Sequence, residues 1–249
     1  LKNEGTCPHG RETGLQKTEW TSDGWLRLQG ATGDGLPQLM VPAPDIEEQP
    51  WPEEVTCHEF DSEILPTEFQ WLRSPEPETF MSLTDRPGHL RLKGKSSLGN
   101  WFEQALVARR QEAFCFSAET KLEFNPTNFQ QCAGLVCYYN AHKYHYLYVS
   151  VDEQGRRFVD IASCLGDPTC QATYLLSDFR GDSANDSIGI EIPAQGAVWL
   201  RCDVEYASLV FSWSLDGEDW QKIPVTLDYS LISDEAGKGE GASFTGAFV

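Results

Sequence analysis

The run from Tyr144 to Val149 sets Tyr144, Tyr146 and Tyr148 against His145, Leu147 and Val149 in strict alternation. Successive side chains of an extended strand leave on opposite faces, so a period of two seats this run as a strand with two distinct faces. The pattern returns where Val210, Ser212 and Ser214 alternate with Phe211, Trp213 and Leu215. Further short runs rich in β-branched and aromatic residues are HLRLKG (89–94), FCFSAETKLEF (114–124), AGLVCYY (133–139) and VWLRCDVE (198–205). No segment carries a long 3.6-residue amphipathic period. With Asp216-Gly217 supplying a turn of positive φ, about a dozen short strands are expected, in an all-β, antiparallel sandwich.

Before that series the chain is organised differently. Residues 1 to about 40 hold one clear strand signal, GWLRLQG (24–30), and one strand with turns cannot bury a core. From Val41 to Leu65 there are eight carboxylates, no Lys or Arg, and prolines at 42, 44, 50 and 52. Proline fixes φ and withholds a donor while like charges repel, so this stretch reads as a linker or a strap, and a domain boundary falls in it. Hydrophobic residues at 40% and aromatics at 12% are those of a folded chain, and 249 residues suffice for a real core.

The formal charge of -19 repels phosphate backbones and anionic membranes, which sets nucleic acid and membrane aside as partners. No apolar run approaches the length needed to span a bilayer, and no signal-peptide pattern opens the chain. The chain opens on Leu1 rather than methionine, so a lost leader stays open, and with it secretion. Eight scattered cysteines suit buried thiols in a reducing compartment, and a cytoplasmic location is expected on that ground. Cys164 and Cys170, flanking LGDPT, are the pair placed to close a small disulfide loop.

CAGLVCYYNAHKYH places Cys132, Cys137, His142 and His145 within fourteen residues, a soft-ligand set of the kind zinc takes. The separations of five and three residues point each pair to opposite faces of a strand, so core thiols beside a hairpin are preferred and no metal site is expected. An inverting glycosidase pair needs two carboxyls ~6.5–9.5 Å apart, one of raised pKa. The acids here fall mainly in the linker, turns and strand ends, where water solvates them. No nucleophile elbow, phosphate loop or zinc-protease motif occurs, and no cofactor is expected. Asn185-Asp186-Ser187 forms a glycosylation sequon in a polar loop, while Asn125-Pro126-Thr127 is excluded by its proline. In CPHGRET (7–13), Pro8 and Gly10 stiffen the approach to Arg11. Its guanidinium forks onto vicinal hydroxyls or a carboxylate; a surface salt bridge to Glu12 or Glu4 is the plainer alternative.

The ordered series CPHGRETGLQKTEW, DGWLRL, FDSEILPTEFQWLRSP, SLTDRPGHLRL, FEQALVARRQ, FQQCAGLVCYYN, SLDGEDW and FTGAFV resembles the glycoside hydrolase family 43 β-xylosidases over nearly the whole chain. More narrowly it is similar to the two-domain type, a five-bladed β-propeller followed by a concanavalin A-like β-sandwich of jelly-roll kind. The resemblance implies that residues 1–42 are the closing tail of the propeller, 43–57 an acidic, Pro-rich linker, and 58–249 the sandwich. It implies an exo-acting, inverting β-xylosidase on xylo-oligosaccharides, with α-L-arabinofuranosidase side activity on arabinosyl substrates and homo-oligomeric as the full enzyme. The family's catalytic base, pKa-tuning aspartate and general acid lie earlier in the propeller, and their motifs are absent here. The chain is therefore expected to carry no catalytic residue and to lack its propeller partner.

Two family features map onto this sequence. The arginine of the family's GRET motif, which holds the xylosyl unit, corresponds to Arg11. A sandwich loop that places a phenylalanine at the pocket rim corresponds to FTGAF, with Phe244 first and Phe248 second. FTGAFV also ends in mid-run, and an open strand edge is expected there, with both termini cut. The alternative function is a carbohydrate-binding module that stacks sugars on Tyr144, Tyr146, Tyr148, Trp199 and Trp213, rings that otherwise fill the core.

Overall fold

A computed structural model describes residues 5–11, 13–30, 35–166, 171–177, 189–236 and 245–249. The chain forms two compact units, one of residues 12–58 and one joining residues 1–11 to 59–249. The smaller contains the hairpin of β1 (Thr18–Trp20) and β2 (Leu26–Leu28), closed where the Thr21 hydroxyl donates to the Trp25 carbonyl at 2.9 Å. None of its described residues from 13 to 58 is buried, and Trp20, Trp25, Met40 and Trp51 are largely exposed.

The larger unit is an antiparallel sandwich. Three short strands come first: β3 (Phe69–Trp71), β4 (Met81–Ser82) and β5 (Arg91–Leu92), followed by β6 (Val107–Arg109), which pairs with β3 while β4 pairs with β5. Next are β7 (Cys115–Leu122), β8 (Ala133–Asn140), β9 (Lys143–Val151), β10 (Arg157–Leu165), β11 (Thr173–Tyr174) and β12 (Ile190–Glu191). The series closes with β13 (Val198–Glu205), β14 (Ser208–Ser214) and β15 (Gln221–Asp228). One sheet runs β15-β14-β13-β7; the other runs β11-β10-β9-β8, with β12 also on β10.

Alternation decides which residues meet between the sheets. Leu147, Val149, Val159 and Ile161 face Val198, Leu200, Cys202, Leu209, Phe211 and Ile223, all nearly inaccessible. Backbone fit is equally close: a Cβ on Gly134 of β8 would fall 2.0 Å from the Leu147 carbonyl oxygen of β9, so glycine alone permits that pairing. Gly217, in the expected Asp216-Gly217 turn, has φ +82° and lies under the Trp199 indole, where a Cβ would come within 2.9 Å.

The tyrosines of β9 point the other way. Tyr144 joins Leu106, Ala108, Tyr138 and Cys164 in a second cluster, and Tyr148 joins Phe158 and Ala162 in a third. The sheet is therefore covered on both sides, because Leu72, Leu98, Leu106 and Ala108 from the segment before β7 lie over its outer face. Tyr144, Tyr148 and Trp213 are 3–5% exposed, and Tyr146 and Trp199 half-buried, so the rings proposed as sugar platforms are mostly filling cores.

Two of the longer strands, besides several of two or three residues, escaped the sequence pattern. Strand β10 is buried on both faces, so it shows no polar alternation. Strand β15 contains Pro224, which an edge strand accommodates through a register shift between Val210 and Ser212 of its partner. The last residues also differ from the open edge expected of them. Phe248 exchanges two 2.8 Å backbone bonds with Tyr138 of β8, while Val249 bonds Arg109 and Ala247 bonds Gln111 on the opposite side. Alternate peptide groups of one strand face opposite neighbours, so this segment is paired on both flanks.

Candidate functional site

The segments of residues 5–11 and 245–249, from opposite ends of the sequence, meet in one seam of the larger unit. Pro8 and Gly10 form a turn, closed by the Gly10 N–H donating to the Cys7 carbonyl at 3.3 Å, with Gly10 at φ +68°. The turn buries Pro8 and stacks His9 on Phe114 at 4.1 Å. Gly246, at φ +83°, lies directly against it: a Cβ on Gly10 would come 2.6 Å from the Gly246 nitrogen, and one on Gly246 2.5 Å from the His9 carbonyl oxygen. Both glycines thus serve close backbone approach as well as positive φ.

Hydrogen bonds hold the seam. The Ala247 N–H donates to the Pro8 carbonyl at 2.7 Å, and the Cys7 N–H to a Glu235 carboxylate oxygen at 3.1 Å. Arg110 spans both segments, with one guanidinium nitrogen on the His9 carbonyl at 2.6 Å and the other on the Thr245 carbonyl. From beneath, the buried Lys143 donates to the Ser233 and Asp234 carbonyls at 2.9 and 3.3 Å. Gln111 is fixed in turn, its side-chain oxygen accepting from the buried Tyr229 hydroxyl at 2.8 Å.

Arg11 follows Gly10 out of this seam and is exposed. Glu4 and Glu12, its alternative salt-bridge partners, lie outside the described residues, as does Phe244. Phe248, the second candidate, is half-buried. Its neighbours Ala247 and Val249 belong to the inter-sheet core, so its ring leaves on the opposite face, where it packs with the Leu106–Tyr138 cluster and under Arg110 at 5.9 Å. Arg110, Lys143 and Glu235 were not singled out from sequence, because their partners are backbone groups brought in from afar. The nearest signal was the LVARRQ run itself.

The other candidate constellations disperse. Cys137 lies in the inter-sheet core, where a hydrogen bond to Cys202 and burial push its thiol well up. Cys132 is exposed, His142 sets its ring edge-on to Trp101 at 5.3 Å, and His145 bonds the Ser163 hydroxyl at 2.8 Å. Among the described residues no three His, Cys, Asp or Glu side chains converge as metal ligands. Asp160 is the buried acid among them: burial raises its pKa although its carboxylate accepts from the Ile161 and Leu176 N–H groups at 2.6 and 3.1 Å. The bond from Leu176 joins β10 to the segment that follows it, a structural duty. Cys170 and the Asn185 sequon lie outside the described residues.

Residues 57–249 match the family described as the β-xylosidase C-terminal concanavalin A-like domain. Among similar proteins are a β-xylosidase of Bacillus subtilis, 38% identical over 100% of this chain and 44% of its own, and a xylosidase/arabinosidase of Humicola insolens, 38% identical over 98% and 43%. The crystal structure of a xylan β-1,4-xylosidase from Bacillus halodurans superposes with a TM-score of 0.83 at 36% identity, over 98% of this chain and 44% of that one. The chain thus spans less than half the length of the curated relatives it matches. A two-sheet antiparallel sandwich and this match over residues 57–249 agree: the chain belongs to the β-xylosidase C-terminal concanavalin A-like domain family of glycoside hydrolase family 43.

Proposed function

We propose that this chain is the C-terminal portion of an exo-acting, inverting β-xylosidase that acts on xylo-oligosaccharides, with α-L-arabinofuranosidase activity on the side. The observation that carries the reading is the seam: Arg110 and the Gly10–Gly246 contact bind the segment leading into Arg11 to the segment that follows Phe244 in sequence. A guanidinium carried on so braced a segment suits the edge of a pocket that takes a single terminal sugar, and Phe244 is the ring proposed to join it there. The fork engages vicinal hydroxyls and the ring excludes water.

The chemistry itself belongs to an upstream propeller, the partner this reading requires. There a carboxylate base would activate water while a carboxylic acid protonates the leaving oxygen, inverting the anomeric centre. Residues 1–42 would close that propeller, and the exposed aromatic residues of the smaller unit, Trp20 and Trp25 among them, suit a segment whose core lies elsewhere. The neighbouring thiols Cys137 and Cys202 fit a reducing, cytoplasmic setting, and a homo-oligomer is the assembly this reading favours.

The 249-residue chain alone should release no xylose from an aryl β-xyloside. Joined to the upstream part of a family 43 β-xylosidase it should gain activity, and Arg11→Ala should then lower kcat/KM by about a hundredfold, the scale at which substrate misplacement acts. Turnover by the chain alone, or an active joined enzyme indifferent to Arg11→Ala, would refute the proposal.

A further inference from the structure

A shallow, open hollow of about 510 Å³, lined by none of the seam residues, lies on the sandwich between Trp101, Tyr144 and Tyr174, with Ser97, Gly99, Asn100 and Ala172 at its wall. Its size lies within the ~300–1,000 Å³ of ligand pockets. Trp101 and Tyr174 are each 47% exposed, whereas Tyr144 is 5% exposed and forms the floor.

The loop that carries Trp101 is held on several sides. The Arg73 guanidinium stacks over the indole at 5.4 Å and donates to the Trp101 carbonyl at 3.2 Å. His142 meets the ring edge-on at 5.3 Å. Beneath the loop, Gln104, 2% exposed, donates its amide to the carbonyls of Leu98 and Asn100. Arg73, stacked on the indole, and Glu103, two residues after Trp101 in sequence, are non-glycine residues in the left-handed region, at φ 46° and 59°, as are Phe60 and Tyr206 elsewhere. Such backbone costs energy and persists where surrounding contacts impose it, characteristically beside ligand sites.

The lining selects a chemical class. It carries no charged side chain, so a phosphate or carboxylate would enter unpaired against a net charge of -19. A cation would share the Trp101 ring with Arg73, already placed over it. A purely apolar ligand would strip water from Ser97 and Asn100 without replacing its hydrogen bonds. A neutral ring with C–H faces and equatorial hydroxyls suits aromatic walls and amide and hydroxyl groups together. We propose that this pocket is a second, non-catalytic sugar-binding site, which takes one neutral sugar unit of an oligosaccharide between Trp101 and Tyr174. The site follows from its lining alone; the choice of xylan-derived probes rests on the function proposed above.

The test is calorimetric titration of the 249-residue chain with xylotetraose, cellotetraose and choline. One or both oligosaccharides should bind with millimolar or tighter affinity. Trp101→Ala and Tyr174→Ala should each weaken that binding roughly tenfold, and Trp101→Phe should weaken it less. Near-ultraviolet circular dichroism checks that the variants fold; should Trp101→Ala fail to, Trp101→Phe and Tyr174→Ala carry the same comparison. The proposal falls if neither oligosaccharide binds, if binding survives loss of either ring, or if choline binds in their place. Binding abolished by Arg11→Ala but indifferent to Trp101→Ala would place the sugar at the seam, overturning the second site while supporting the proposed function.

Discussion

Arg110 joins two carbonyls that belong to opposite ends of the sequence. A charged donor to a carbonyl contributes more than a neutral one, and both bonds vanish together on truncation. Arg110→Ala should therefore cost about 1–3 kcal/mol in urea unfolding, and Arg110→Lys, a single point donor, should recover only part. Equal stability of wild type and Arg110→Ala would show the seam to be held by backbone contacts alone. Arg11 itself was legible in CPHGRET because Pro8 and Gly10 announce a turn. Arg110 was not, because its neighbours in sequence say nothing of carbonyls delivered from residues 9 and 245.

At the scale of elements, β9 carries two messages in one alternation. Its tyrosine face meets the covering segment, while His145 on the opposite face reaches Ser163 of β10 at 2.8 Å and the Asp228 carbonyl of β15 at 3.4 Å, tying one sheet to the other. Burial lowers the His145 pKa from 6.5 to about 4, outweighing the opposing influence of Asp228. The native state thus binds this proton later than the unfolded chain as pH falls. The associated stability is complete above pH 6.5 and is lost on descending to about 4, by about 3 kcal/mol. The stability difference between wild type and His145→Gln should shrink over that window, measured by urea unfolding at stepped pH; a constant difference would contradict a neutral buried imidazole. Period two announced β9 and β14, but β10 went unseen because a strand buried on both faces loses the polar half of the pattern.

For the whole molecule, the smaller unit has no buried residue among those described from 13 to 58, whereas the larger has two packed sheets. Limited digestion with a glutamate-specific protease should cut first within 12–58, where Glu47, Glu48, Glu53 and Glu54 lie, and spare the strands from β7 to β15. Early cleavage within β8 to β10 would show the sandwich to be the weaker part. The all-β class and most of the longer strands were legible in the sequence, because alternation acts between near neighbours. Four features came only from long-range packing: the tyrosine face is covered, Phe248 packs on the Leu106–Tyr138 cluster, Arg110 closes the seam, and Trp101 and Tyr174 flank one hollow. Each of those depends on which distant segments come to lie side by side, and contacts of that kind leave no local periodicity to read.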